Sequence, residues 1–258
     1  MIIDGVKLAA AKEADLRQKA PPGLKLAILA FKADRAGQVY SRLKAEAGAR
    51  AGIEVARFNF DWQEIKQMKA KLKELNRDNS YAGIMIQRPG YRGKEFEKYW
   101  RQLVSEIAPE KDVDGLRDDS LFVPATVKAV ELLLDKFVND RQPNYILVVG
   151  RGTIGRGLAK RLKVKNISSQ DPDLVKLSLE ADILISCSGK MGLIKVVKPG
   201  AVVIDVGWPK GDVDFSAVKK VAGAITPVPG GVGPITVVCL LENLVKAVYN
   251  QEILNPKS

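Results

Sequence analysis

What most limits the folds open to this chain is an alternation. Short aliphatic runs are each followed by a charged stretch with helical spacing. "LKLAILAF" precedes "GQVYSRLKAEAGARAG", "IEVARFNF" precedes "WQEIKQMKAKLKELNRD", and "YAGIMIQ" precedes "GKEFEKYWRQLVSEI". Strands that alternate with helices pair in parallel, because each helix returns the chain to the start of the next strand. A βαβαβα lobe is therefore expected. "IAPEKDVDGLRDDS" then breaks the pattern with Pro, Gly and acids, and "ATVKAVELLLDKFV" reads as a helix bridging to a second unit. That unit holds the strands "YILVV", "ADILISCSG" and "GAVVIDVG" and ends in the helix "VCLLENLVKAVYNQEI". The predicted fold class is α/β in two lobes with a cleft between them. The first lobe is residues 1–122 and a Rossmann-like lobe is 123–236, with the closing helix 237–258 packing back on the first.

Composition narrows the function classes. A hydrophobic share of 46% with 28% charged residues suits a soluble globular protein. Apolar runs such as "YILVV" and "AVVI" are too short to span a bilayer, and no membrane partner is expected. "MIIDGVKLAAAKEADL" carries acids where a secretion signal needs an apolar core, so the expected compartment is the cytoplasm. Cys187 and Cys239, each inside an apolar segment, read as buried free thiols, and no metal site is expected. Histidine is absent, which removes the usual general base and every Ser-His or Cys-His nucleophile. Any acid–base chemistry must fall to Lys, Tyr, Asp, Glu or a cofactor. The net charge of +11 is spread along helices, and aromatics make up only 6%. A basic balance allows a nucleic-acid binder, an enzyme for polyanionic small molecules or a general basic bias. The spread charge and scarce aromatics argue against the first, so no nucleic-acid partner is expected.

Gly150-x-Gly152-x-x-Gly155 lies directly after the strand "YILVV" and before the helix "IGRGLAKRL". A tight turn, a close approach to pyrophosphate and helix–strand packing each need a glycine, and a helix N-terminus favours phosphate. An acid that would read an NAD ribose usually follows about twenty residues on. Here the next strand ends in "KVKNISSQD": Asn166, Ser168 and Ser169 stand there with Lys163 and Lys165 nearby, and Asp171 falls past the strand. No carboxylate and several cations favour NADP, with NAD not excluded. A further segment, "ITPVPGGVGPIT", packs three prolines and three glycines into twelve uncharged residues before an apolar helix. Its composition implies a loop of one defined shape beside a ligand.

These segments resemble the bifunctional methylenetetrahydrofolate dehydrogenase/methenyltetrahydrofolate cyclohydrolase family. "ITPVPGGVGPIT" is similar to its signature loop, "PEKDVDG" to the loop before its interdomain helix, and "QVYSRLKAEAGARAGIEV" to its Tyr-x-x-x-Lys helix. The resemblance implies oxidation of 5,10-methylenetetrahydrofolate with NADP and hydrolysis of the methenyl product to 10-formyltetrahydrofolate, carried out by a homodimer. It makes Lys44 the cyclohydrolase acid/base residue, sets Tyr40 against the folate, and has Gln87 orient Lys44. Asp114 would bind the amino-pyrimidine edge of the pterin, with Pro229, Gly230 and Gly231 walling the folate. Gly150, Arg151, Gly152 and Gly155 would hold the dinucleotide, and Trp208 would lie near its nicotinamide end. Taken alone, a Tyr and a Lys four residues apart are usually a surface pair.

The chain departs from the family at several points. "GRGTIG" has Gly152 in place of a serine and is one residue shorter than the usual turn. The run after the next strand is compressed, Gly37 replaces a serine, and "QRPGY" and "PATVKA" replace the usual motifs. These changes leave two alternatives: a cyclohydrolase with an impaired dehydrogenase, or a catalytically silent dinucleotide- or nucleic-acid-binding module.

Overall fold

A computed structural model of the chain describes residues 1–90, 94–138 and 145–254. The chain divides into two compact units, one of Ala10–Ala125 with the stretch from Val237 onward, the other of Met1–Ala9 with Thr126–Thr236. They are called here the lysine unit and the glycine-turn unit.

In the lysine unit three parallel strands, β1 (Lys25–Phe31), β2 (Glu54–Phe60) and β3 (Tyr81–Ile86), lie in the order β2-β1-β3. Helices α2 (Arg35–Arg50), α3 (Ile65–Arg77) and α4 (Lys94–Ser105) follow β1, β2 and β3, as the alternation predicts. Strand β1 is central and buried almost throughout, whereas edge strand β2 is mostly half-buried. One core forms between the sheet and two helices: Ala27, Leu29, Ile84 and Ile86 pack with Met68, Leu72 and Leu75 of α3 and Phe96, Trp100 and Leu103 of α4. These α3 and α4 residues recur at three- and four-residue intervals, which places them on one helical face.

In the glycine-turn unit five parallel strands run in the order β5-β4-β6-β7-β8: β4 (Ile146–Val149), β5 (Lys165–Ile167), β6 (Ile183–Ser186), β7 (Val202–Asp205) and β8 (Ala224–Ile225). Helices α6 (Thr153–Leu162), α7 (Leu174–Glu180) and α8 (Phe215–Val218) connect them. Leu147, Val149, Leu184 and Val203 form the buried centre, covered by Leu177 and Val218. Three further helices, α1 (Gly5–Lys19), α5 (Ala125–Val138) and α9 (Val232–Leu254), complete the chain.

Two boundaries differ from those expected. The first nine residues, read with the N-terminal lobe, belong to the glycine-turn unit. Ile2 bridges in parallel to Ile225, and the Ile3 N–H donates to the Ile225 carbonyl at 2.8 Å. The other boundary falls at Ala125/Thr126 rather than 122/123. Residues 255–258 of the expected closing helix lie outside the described residues, as do Tyr91 of "QRPGY" and Asn144 before β4. Helix α9 contains a stretch, Val232–Tyr249, that is long and apolar enough by composition to cross a membrane. Burial of 67% of that stretch inside the protein accounts for its apolarity as that of a core helix.

Candidate active site

All strands are parallel, but in both sheets the order in which they are added reverses at the first strand, β1 in one and β4 in the other. At such a switch point the connections leave to opposite sides, opening a crevice beyond the carboxyl ends of the strands. The predicted site residues of the lysine unit collect at the end of β1 and β3. Tyr40 and Lys44 stand one turn apart on α2, and Gln87 follows β3 directly. The Gln87 N–H donates to the Leu29 carbonyl at 2.8 Å, which continues the β1–β3 ladder by one residue and fixes its backbone.

Lys44 is not a surface lysine. Its residue is only 3% exposed, and its ammonium donates to Gln87 Oε1 at 2.7 Å while lying 5.0 Å from the Tyr40 ring centroid. That geometry excludes the surface-pair reading of Tyr40 and Lys44. Gly37 lets the first turn of α2 sit against Gln87; a Cβ there would come 3.2 Å from Gln87 Cγ and 2.2 Å from Asp34 Oδ2.

Burial sets the proton affinities. It pulls the Lys44 ammonium down to about 8, with the Asp114 charge opposing the fall. It pushes the Asp114 carboxyl up to about 7, and Lys44 opposes that rise. The Tyr40 phenol is pushed up to about 12 by burial and stays protonated near neutrality. The group therefore offers a lysine whose hold on its proton burial weakens, an amide holding it, and a carboxyl whose hold on its proton burial strengthens. Such a set can shuttle a proton without histidine.

The loop bearing Asp114 is held by residues that sequence reading passed over. The Asp112 carboxylate accepts from the backbone N–H groups of Leu116 and Arg117 at 3.1 and 2.8 Å. Lys111, fully enclosed, donates to the carbonyls of Leu75 and Asp78, both at 2.8 Å, and so caps the end of α3. Asn243 of α9 donates to the carbonyls of Val113 and Val123 at 2.9 and 3.0 Å, clasping both sides of the loop. Gly115 adopts φ +67°, and a Cβ on it would meet the Pro124 nitrogen at 2.6 Å. Asp112 and Gly115 had a visible signal in "DVDG"; Asn243, 130 positions from Val113, had none.

The remaining predicted residues lie in the glycine-turn unit. Gly150 ends β4 with φ +116°, where a Cβ would meet the Cys187 carbonyl oxygen at 2.6 Å. Gly155, in the first turns of α6, passes so close to the Gly150 carbonyl that a Cβ would lie 1.8 Å from that oxygen. Gly152 caps α6 and is exposed, with nothing within 4 Å of where its Cβ would be. The turn thus has an open crest at a helix N-terminus, where the first N–H groups lack intrahelical partners. Its fit to a pyrophosphate is direct. Arg151 is exposed beside it, its carbonyl accepting from Arg156 at 2.9 Å, and Trp208 is 39% exposed beyond β7.

Pro229, Gly230 and Gly231 also belong to this unit and not to that of Lys44. Their glycines have a local reason: the Gly5 N–H donates to the Gly230 carbonyl at 2.9 Å, and a Cβ on Gly5 would lie 1.8 Å from the Gly231 oxygen. Among the described residues no group of three or more His, Cys, Asp or Glu could hold a metal ion.

Comparison with known proteins covers both units. Residues 3–114 match the catalytic-domain model of tetrahydrofolate dehydrogenase/cyclohydrolase, and residues 124–252 match the NAD(P)-binding-domain model of the same name. The chain is 36% identical over 249 residues to the bifunctional protein FolD of Staphylococcus aureus, covering 86% of this chain and 85% of that one. Among solved structures it resembles FolD methylenetetrahydrofolate dehydrogenase/cyclohydrolase of Campylobacter jejuni, with a TM-score of 0.86, 30% identity and coverage of 97% and 99%. It also resembles the Trypanosoma brucei dehydrogenase-cyclohydrolase complexed with NADP and an inhibitor, with a TM-score of 0.86, 28% identity and 99% of both chains covered.

Proposed function

Since the chain belongs to the tetrahydrofolate dehydrogenase/cyclohydrolase family, we propose that it oxidises 5,10-methylenetetrahydrofolate with NADP and hydrolyses the methenyl product to 10-formyltetrahydrofolate. The observation that carries this reading is the buried Lys44–Gln87 pair at the carboxyl end of β3, with Asp114 near enough to influence its charge.

In the hydrolysis, water adds to the electron-poor methenyl carbon. The Lys44 amine takes a proton from that water, a task suited to a group that titrates near 8. The proton then passes to the ring nitrogen as its bond to the former methenyl carbon breaks, and the hydroxyl of the adduct releases its remaining proton to water as the formyl C=O forms on the other nitrogen. Gln87 Oε1 accepts from the lysine and holds it in place through both transfers. Asp114 binds the donor-rich amino-pyrimidine edge of the pterin, and a carboxylate supplies the acceptors that edge needs. Tyr40, neutral throughout, packs its ring against the folate.

For the oxidation, NADP when bound supplies the hydride acceptor. The residues that would hold it are Gly150, Gly152 and Gly155, through backbone contact, with Arg151 beside the phosphates and Trp208 toward the nicotinamide. Hydride loss is favoured by the neighbouring nitrogen lone pair, so the protein's task there is orientation rather than strong base catalysis. The end of β5 carries Asn166, Ser168 and Ser169 and no carboxylate, which favours the 2′-phosphate of NADP. We take the working form to be a cytoplasmic homodimer, which sedimentation of the purified chain would test.

The deciding experiment follows methenyltetrahydrofolate absorbance and reduced-cofactor formation separately, for wild type and Lys44→Met, with NADP⁺ and NAD⁺ in parallel. Wild type should carry out both reactions and prefer NADP⁺, and the variant should lose methenyl hydrolysis. A wild type that does neither overturns the proposal.

A further inference from the structure

We propose that Asn166 is the positioning residue of the dinucleotide turn, holding Gly150 in place where the shortened "GRGTIG" sequence has no side chain of its own to do so. The inference rests on the reading of this turn as the NADP site.

Asn166 sits on β5 opposite Val148 of β4. Its side-chain amide does not reach out toward a ribose. The Nδ2 group donates inward, to the Gly150 carbonyl at 2.9 Å and to the Val148 carbonyl at 3.1 Å. The Gly150 N–H in turn donates to the Ile167 carbonyl at 2.9 Å. Both backbone polar groups of the first glycine are therefore tied to the same strand, one by a side chain and one by the main chain. On the other side of the Gly150 oxygen stands Gly155 of α6, with no room between them for even a methyl group.

The consequence is mechanical. The Gly150 carbonyl is fixed between a hydrogen bond from β5 and the first turns of α6, so its position determines how the helix start is seated against the strands. Gly152, at the cap, contributes no side-chain hydrogen bond. Glycine-rich turns have many accessible conformations. Holding one of them in advance lowers the ordering cost of binding a pyrophosphate. Asn166 supplies that restraint and leaves ribose recognition to the residues after it.

The test uses the full chain and two variants, Asn166→Leu and Asn166→Asp, with NADP⁺ affinity by calorimetry, steady-state kinetics of both activities, and melting curves. Loss of the amide donors in Asn166→Leu should weaken NADP⁺ about tenfold. KM for NADP⁺ should rise with it, while kcat for oxidation and the rate of methenyl hydrolysis stay within about twofold. Asn166→Asp keeps the shape and loses the donors when ionised. A carboxylate facing two carbonyl oxygens cannot replace the amide, so the affinity of this variant for NADP⁺ should fall at least as far as that of Asn166→Leu. This second variant keeps the test valid if the leucine variant does not fold. Wild-type NADP⁺ affinity in both variants overturns the role of Asn166 while leaving the turn as the cofactor site. Parallel loss of NADP⁺ binding and methenyl hydrolysis overturns it too, since that pattern means general damage. A wild type that binds neither NADP⁺ nor NAD⁺ instead overturns the reading of the turn itself.

Discussion

The two units place their chemistry at the same topological point and build it from opposite materials. In the lysine unit the switch point after β1 is furnished with side chains that burial has moved off their ordinary proton affinities: Lys44 down, Asp114 and Tyr40 up. In the glycine-turn unit the switch point after β4 is furnished with backbone, and its decisive residues are those lacking a side chain, Gly150, Gly152 and Gly155. Proton transfer needs a titratable group whose affinity can be tuned, and tuning requires burial next to another charge. Holding a pyrophosphate needs N–H groups and close approach, which any Cβ would obstruct. The same kind of switch point, one in each sheet, is therefore furnished with different residue types.

The contrast can be broken most sharply at Lys44. Replacing it by methionine keeps the volume and removes the proton carrier, and methenyl hydrolysis should fall by about 10²–10⁴-fold with NADP⁺ affinity unchanged. Equal loss of both would mean that the two sites are not chemically separate. The mirror experiment is Gly155→Ala. A methyl group 1.8 Å from the Gly150 oxygen forces the turn and α6 apart. Cofactor affinity should drop by about thirtyfold or more while hydrolysis continues, with about 1–3 kcal/mol lost from stability by denaturant melts.

A smaller effect sharpens the picture of the lysine unit. Asn243→Leu leaves the carbonyls of Val113 and Val123 without their donor. Urea titration should show a loss of about 2 kcal/mol, and KM for folate should rise with little change in cofactor affinity. A pH-dependent change concerns Asp114→Asn. The folded carboxyl holds its proton up to about 7, above its ordinary 3.8, so the folded state binds the extra proton between those values. Its contribution to stability is full below about pH 4 and is lost as pH rises through 7. In the asparagine variant that loss is absent, and its stability relative to wild type should increase as pH rises from 4 to 7, read by urea titration at each pH. The variant also removes the charge that supports the Lys44 ammonium. The lysine-dependent limb of the hydrolysis profile should therefore move to lower pH, and an unmoved limb would uncouple the two residues.

Much of the architecture was legible because it is written locally. Alternation of "LKLAILAF" with a helical stretch is a property of consecutive residues, and it correctly foretold parallel strands joined by helices. The turn "GRGTIG" could be read as well, since the glycine requirement comes from backbone angles and the flanking strand and helix are adjacent in sequence. The N-terminus was not legible: nothing in "MIIDG" announces that Ile2 and Ile3 pair with Ile225. For the same reason Gly230 and Gly231, read as an approach to folate, have a second and internal partner in Gly5. Asn166 was noticed, but its direction was not, because only the placement of β5 beside β4 turns its amide onto Gly150.

By itself the sequence determined the periodicities, the positions where a side chain is not tolerated, and the absence of histidine, which leaves acid–base work to other groups. Tertiary structure alone decided that Lys44 is enclosed, that Gln87 bonds it from 43 positions away while the Asp114 charge acts on it, and that Asn243 clasps the loop bearing Asp114. Periodicity and backbone freedom depend on neighbours in sequence. Burial, and the proton affinity it sets, depends on every segment that folds over a residue, and no local stretch contains that information.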